Sequence, residues 1–318
     1  MLLQTASVQY PRRIREVLPL TDTITQERIS YSSMGVTIAG ALFLPPARGP
    51  FPALVVCHGY MDFKENYREL CEYLSRRGIA ALAIDMHGHG ESGGERYHLD
   101  LDEWVADIRG ALDALQAHPM VDGENVGAFG LSSGGTAVLE CALVDERIKA
   151  LITLDATVRP LLSVPERAGM AILTALGWIK RALTGRDLRV SMVSAFRKVP
   201  AAHDPEVNAR WSSDPRVVEM WSSFPFPGAG ATVIVDTITR VNRITAPTLV
   251  LHGAQDMVDS PQTARMLHDA LTCEKELHII EGNGHLGHLD TNRQTVFALT
   301  EGWALHHLRD SAGRTTMI

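Results

Sequence analysis

The chain has 318 residues, 45% of them hydrophobic and 6% aromatic, enough for one large α/β domain or two small ones with a sizeable core. Its net charge is −7, and its lysines and arginines are dispersed, without the clustered basic surface that nucleic-acid binding uses. Four cysteines (Cys57, Cys71, Cys141, Cys273) lack metal-ligand spacing and read as small buried hydrophobes in a reducing compartment, not as a disulfide framework.

The opening stretch MLLQTASVQYPRRIREV lacks the apolar region of a signal peptide. The longest apolar run, GMAILTALGWI at 169–179, falls short of the roughly 18 residues of a membrane span, so a soluble cytoplasmic protein is expected. The first 25 residues are assigned neither to the core nor to a dimer contact. GVTIAGALFLP (35–45) alternates like an antiparallel strand. PALVVCHG (52–59), IAALAIDMHGHG (79–90), NVGAFG (125–130) and IKALITLDA (148–156) hold short apolar runs ending in polar or glycine-rich turns, the pattern of parallel strands buried on both faces. Helical stripes lie between them: Tyr67, Leu70, Cys71 and Leu74 within 64–77, closed by Gly78, then Trp104, Ile108, Ala111, Leu112 and Leu115 within 102–117. GGTAVLECALV (134–144) follows. The alternation resumes with a strand at 246–253, a helix at 261–271, a strand at 275–282 and a helix at 291–308. Repeated βα units predict a mostly parallel sheet with helices on both faces. Residues 157–236 break this rhythm and are too long for an ordinary loop, so they are read as an inserted, largely helical cap between core segments 1–156 and 237–318.

GAFGLSSGG follows a buried strand and opens a helix, the setting of a strained turn that projects a serine from the sheet edge. Register selects Ser132, because centring the motif on Ser133 would put Leu131 where the first glycine belongs. The Ser133 N–H then lies at the helix start, where it can hold an oxyanion. The bland alternative is a glycine-rich turn with a serine helix cap. A serine needs a base. His285, just after Gly-Asn-Gly, is favoured over His288. Asp256 is favoured as the orienting acid over Asp259, which could cap the next helix, and over Asp155. The loop after His58-Gly59 offers the Tyr60 N–H as a second oxyanion donor, with His58 holding the loop. His87 and His89 form a His-x-His pair without a convincing third ligand, so no metal is expected.

Together VVCHGYMDFKENY, AIDMHGHGESGG, HPMVDGENVGAFGLSSGG, VLHGAQDMVDSP and EGNGHLGH resemble, in order, the α/β-hydrolase superfamily, and look most like its monoglyceride lipase, feruloyl esterase and serine aminopeptidase types. His87 replaces the arginine usual in the family's D-x-R-G-H-G-x-S loop, so no role of that arginine is carried over. The resemblance implies an eight-stranded sheet with a lid after the sixth strand, a triad of Ser132, Asp256 and His285, oxyanion donors Tyr60 and Ser133, and hydrolysis without a cofactor. Serine at position 132 argues against haloalkane and epoxide chemistry, which uses an aspartate nucleophile. Trp178, Trp211, Trp221, Phe224 and Phe226 are available to wall an apolar substrate pocket, or simply to pack the lid. RAGMAILTALGWIKRAL (167–183) reads as a lid helix, with a membrane-surface helix as the alternative. The expected activity is hydrolysis of a medium-sized, partly apolar carboxylic ester. Amide, thioester or C–C hydrolysis on the same triad, and ligand binding without turnover, stand as alternatives. The expected partner is a small-molecule substrate, with no nucleic acid and no stable membrane insertion, and homo-oligomerisation is left open.

Overall fold

The computed structural model describes residues 23–160, 164–229 and 235–308; the readings above of the N-terminal stretch lie outside them, as do 161–163 and 230–234 of the inserted segment. In chain order come β1 (Thr25–Ser33), β2 (Val36–Leu44), β3 (Phe51–Cys57), α1 (Arg68–Ser75), β4 (Ala80–Ile84), α2 (Leu101–Gln116), β5 (Val121–Leu131), α3 (Ser133–Ala142) and β6 (Ile148–Leu154). After these follow α4 (Val164–Thr184), β7 (Leu188–Val190), α5 (Val193–Phe196), α6 (Pro205–Ser212), α7 (Pro215–Ser222) and β8 (Phe224–Phe226). The core resumes with β9 (Thr248–Gly253), α8 (Pro261–Ala270), β10 (Lys275–Ile280) and α9 (Arg293–His307). One eight-stranded sheet has the order β1-β2-β4-β3-β5-β6-β9-β10. β2 runs antiparallel to β1 and β4, and the remaining pairs are parallel. Among the described residues no helix is long and apolar enough to cross a membrane.

The continuous apolar runs arise because each central strand feeds two cores. Ala53, Val55 and Cys57 of β3 join the layer holding Trp104, Ile108 and Leu112 of α2, while Leu54 and Val56 join the layer holding Leu70 and Leu74 of α1 and Phe297 and Trp303 of α9. The predicted stripes of α1 and α2 are both buried. Asp100 caps α2 by accepting the Asp102 and Glu103 amides at 2.8 and 3.2 Å, and Gly78, at φ +84°, turns the chain out of the α1 segment. Cys57, Cys71 and Cys141 lie fully buried in these layers, where burial pushes their thiols up.

Two features escape the sequence patterns. β1 is a polar edge strand, TQERISYSS, that turns mainly alternate side chains toward the protein and, among the described residues, pairs with β2 alone. β7 and β8, three residues each, form a small antiparallel sheet inside the segment between β6 and β9, too short for any periodicity to show. Because β3, β5, β6, β9 and β10 are parallel, their carboxyl ends share one edge of the sheet. That edge gathers His58, Ser132, Asp155, Asp256 and the loop carrying His285.

Candidate active site

Ser132 stands between the last residue of β5 and the first of α3 with φ +51° and ψ −118°. A non-glycine residue held there costs on the order of 1–3 kcal/mol and persists only where its surroundings over-determine it. The Ser132 amide donates to Leu154 O at 2.9 Å, its carbonyl accepts from the Thr136 amide at 3.0 Å, and glycines surround it. A Cβ on Gly130 would overlap Gly134 O, one on Gly134 would overlap His58 O, and one on Gly135 would come within 2.7 Å of Ala156 Cβ. Glycines without room for a side chain thus flank Ser132. Ser133 begins α3, so its N–H is among the first-turn donors that the helix cannot satisfy itself. Gly134→Ala drives a methyl into backbone that has nowhere to go. It is expected to lower stability by about 1–3 kcal/mol, read as a fall in the urea midpoint at unchanged slope.

The loop after β3 passes close by. A Cβ on Gly59 would lie 3.3 Å from Ser132 Cβ. His58 holds this loop: its Nδ1 donates to Gly59 O at 2.6 Å and its Nε2 accepts from the Met86 amide at 3.0 Å. Those two bonds require the neutral ring, and burial lowers its pKa accordingly. The Tyr60 hydroxyl donates to Tyr97 O at 2.7 Å, which fixes the residue whose backbone N–H is the second oxyanion candidate.

Asp256 and His285, drawn from the loops after β9 and β10, meet at 2.8 Å between Oδ2 and Nδ1. A carboxylate only accepts, so Nδ1 carries the proton and Nε2 keeps its lone pair. Asp256 Oδ1 is pinned separately by the Val258 and Asp259 amides at 2.7 and 3.0 Å. Burial opposes charge on both groups, but their mutual attraction wins. Asp256 is held well below the usual carboxylate range, and His285 is raised above 6.5, chiefly by Asp256 and then by Asp155. Ser132 connects to this pair through residues 154–157. Leu154 O holds its amide, Asp155 brings a carboxyl oxygen to within 4.8 Å of a carboxyl oxygen of Asp256 and a ring nitrogen of His285, and Thr157 Oγ1 lies 3.5 Å from Ser132 Oγ.

Asp259 and His288 occupy other places. Asp259 Oδ1 accepts from the Thr263 hydroxyl at 2.7 Å, while Ser260, not Asp259, caps α8. His288 is buried, stacked on Tyr67 at 4.2 Å, and pushed down to about 3 by burial. Asp155 is the departure. It adopts φ +49°, accepts the Gly253 amide at 2.8 Å, and burial raises its pKa. His252 sits between it and Asp256, with Nδ1 3.5 Å from Asp155 Oδ1 and Nε2 3.3 Å from Asp256 Oδ2. Burial works against the His252 charge, but the two carboxylates lift it to about 9. The sequence signal for this group is His252 itself, four residues before Asp256 in LHGAQD, a polar residue ending an otherwise apolar strand.

Trp211, Trp221, Phe224 and Phe226 are brought together. Trp221 lies 5.7 Å from Trp211, and Phe224 lies 5.5 Å from Phe226 and 5.6 Å from Tyr60, with Phe196 touching both Trp221 and Phe224. Trp221 Nε1 also reaches Met61 Sδ at 3.2 Å, so this aromatic group roofs the loop that carries Tyr60. Trp178 is apart from it, 60% exposed on α4, where Ile172, Ile179 and Leu183 are also exposed. His87 Nδ1 contacts Asp107 Oδ1 at 2.6 Å and His89 Nδ1 contacts His87 O at 2.7 Å, so each ring of the His-x-His pair spends one nitrogen inside the protein.

The profile of the family described as serine aminopeptidase, S33 matches residues 49–292. Polyketide transferase ATR5 of Stachybotrys chlorohalonatus is 25% identical over 276 residues, covering 83% of this chain and 91% of that protein. A monoacylglycerol lipase of Mycolicibacterium smegmatis is 27% identical over 272 residues, with the same two coverages of 83% and 91%. Among solved structures, the α/β hydrolase GrgF from Penicillium sp. sh18 superposes with a TM-score of 0.76 at 19% identity, covering 89% of this chain and 99% of its own. The monoacylglycerol lipase of Paleococcus ferrophilus gives 0.66 at 22% identity, covering 86% and 100%.

Proposed function

This chain belongs to the serine aminopeptidase, S33 family of α/β hydrolases, and from that premise we propose that it cleaves a carboxylic ester of a medium-sized, partly apolar substrate through Ser132, His285 and Asp256. The observation that carries the reading is the conjunction of a strained Ser132 at the β5–α3 turn with a buried His285–Asp256 bond of 2.8 Å on the same sheet edge. His285 takes the Ser132 hydroxyl proton as Oγ attacks the carbonyl carbon. Asp256 keeps the imidazole in the Nδ1–H tautomer and stabilises the imidazolium. The N–H groups of Tyr60 and Ser133 receive the oxyanion, each donor contributing on the order of 3 kcal/mol in the transition state. The imidazolium protonates the departing alcohol, and water then cleaves the acyl-enzyme by the same route. No cofactor enters these steps. The segment 157–236 acts as the lid, with Trp211, Trp221, Phe224 and Phe226 supplying apolar surface against the acyl chain. Trp178, which faces solvent, serves the lid's outer surface.

Transfer of the acyl group to an acceptor other than water is the second reading, favoured by the likeness to a polyketide transferase over most of both chains. Both are tested by one assay: acyl esters of graded chain length, with aminoacyl amides, thioesters and a β-diketone alongside, and with alcohol acceptors added. Ester turnover with water as acceptor is expected, and silence on every ester with turnover of another bond overturns it. His285 must be neutral to act, so kcat/KM falls as the pH drops through its pKa. Because Asp256 and Asp155 outweigh burial, the midpoint of that limb is expected above 6.5. A midpoint below 6.5 in a kcat/KM profile would mean that burial outweighs the two carboxylates at His285.

A further inference from the structure

The segment Ala201–Asp204, which enters α6, crosses directly over the loop that carries His285. Ala201 O accepts the Leu286 amide at 2.9 Å. On the other side of the histidine, a Cβ on Gly284 would lie 2.8 Å from His203 N and 3.1 Å from Ala201 O. Both neighbours of His285 therefore rest against this strap. Asp290 ties the two together. Its fully buried carboxylate accepts the His203 amide at 2.6 Å and the Gly284 amide at 2.7 Å on Oδ2, and the Asp204 amide at 2.8 Å and the Thr291 amide at 2.9 Å on Oδ1. Four backbone donors from three stretches of chain fill the acceptor sites of one carboxylate, with charge-assisted bonds throughout. Asn208 of α6 grips the strap from its far side, Oδ1 accepting the Ala201 and Ala202 amides at 2.8 and 3.4 Å.

We propose that Asp290 is a positioning residue that locks the Ala201–Asp204 strap onto the His285 loop, so that docking of the strap and alignment of the imidazole with Asp256 are a single equilibrium. The proposal rests on the reading of His285 as the base. His285 reaches Asp256 across a gap between two loops, so its ring is placed only as well as Gly284 and Leu286 are placed. Neither is set by sheet pairing: β10 ends at Ile280, and the strap with Asp290 supplies what the sheet does not. This part of the segment between β6 and β9 is consequently a component of the base.

The test uses Asp290→Asn, which keeps the shape but turns one acceptor into an NH2 pointing at amide donors, and Asn208→Ala, which loosens the strap without touching the histidine loop. Circular dichroism checks folding. Two readouts follow: steady-state kinetics, and the NMR signal of the His285 Nδ1 proton, which lies far downfield while a carboxylate holds it. Asp290→Asn is expected to lower kcat about 100-fold with KM nearly unchanged, as misplacing a catalytic group by about 1 Å does. The downfield signal is expected to broaden or vanish, and Asn208→Ala to move both readouts less, in the same direction. A folded Asp290→Asn protein that keeps the downfield signal and its kcat overturns the proposal. Where Asp290→Asn does not fold, an unchanged signal and kcat in Asn208→Ala overturn it instead. The NMR readout reports the imidazole–carboxylate geometry whatever bond is cleaved. A failure of the hydrolase reading, seen as turnover that survives Ser132→Ala, is thereby told apart from a failure of this one.

Discussion

Ser132→Ala is expected to lower kcat by about 10⁶-fold, leaving only the residual acceleration that oxyanion donors and substrate binding provide. The size of the effect follows from what is removed. The strained turn, the flanking glycines and the helix start remain in alanine, so the fold is expected to be kept and KM to change little, while the atom proposed to form the acyl bond is gone. Fluorophosphonate labelling gives an independent check, since it needs an activated serine but no particular substrate. Wild type is expected to label and Ser132→Ala not to. Labelling that persists in the variant would move the nucleophile elsewhere, with Ser133 the first alternative to examine. Failure of folded wild type to label would favour a ligand-binding protein on this fold.

Asp256→Asn is expected to cost about 10⁴ in kcat, because it reverses the histidine tautomer without disturbing the geometry. The structure determines which way the new amide points. Two backbone N–H groups face Asp256 Oδ1, so the amide oxygen stays there and its NH2 turns to His285 Nδ1. Nδ1 must then accept, the proton moves to Nε2, and the ring can no longer receive one from Ser132. The pH profile supplies a second signature. With the principal opposing charge gone and burial unchanged, the acid limb of kcat/KM is expected to shift to lower pH than in wild type. A loss of less than about tenfold would mean that another carboxyl serves as the acid. Asp155, within 4.8 Å of both partners, would be the one to test next.

The parallel strands and the helices between them were legible because burial on two faces leaves unbroken apolar runs, and burial on one leaves a helical stripe. Ser132, Asp256 and His285 stand out as candidates in the sequence for a related reason: each follows closely on a run, and parallel strands deliver their ends to one edge. What the sequence concealed depends on pairing across long separations. β1 carries polar side chains on its exposed face and no periodic apolar signal, so only its register with β2 reveals it. The Asp155–His252–Asp256 group joins the ends of two strands that are neighbours in the sheet and about 100 residues apart in the chain. Asp155 and Asp256, rivals for one role in the sequence, lie side by side in the structure. Asp290 was invisible for the same reason, since three of its four donors lie in chain segments that sequence alone does not bring together.

The burial of Cys57, Cys71 and Cys141 makes these thiols a clock for unfolding. Each lies in a sealed layer between sheet and helices, with its thiolate disfavoured, so an alkylating reagent reaches it only when that layer opens. Cys57 ends the strand before the loop that carries Tyr60, Cys71 lies in α1 on the opposite layer, and Cys141 lies in the helix that begins behind Ser132. Three reporters are thus already installed, Cys57 and Cys141 in one layer and Cys71 in the other, and peptide-resolved alkylation would time the opening of each layer without a label being engineered.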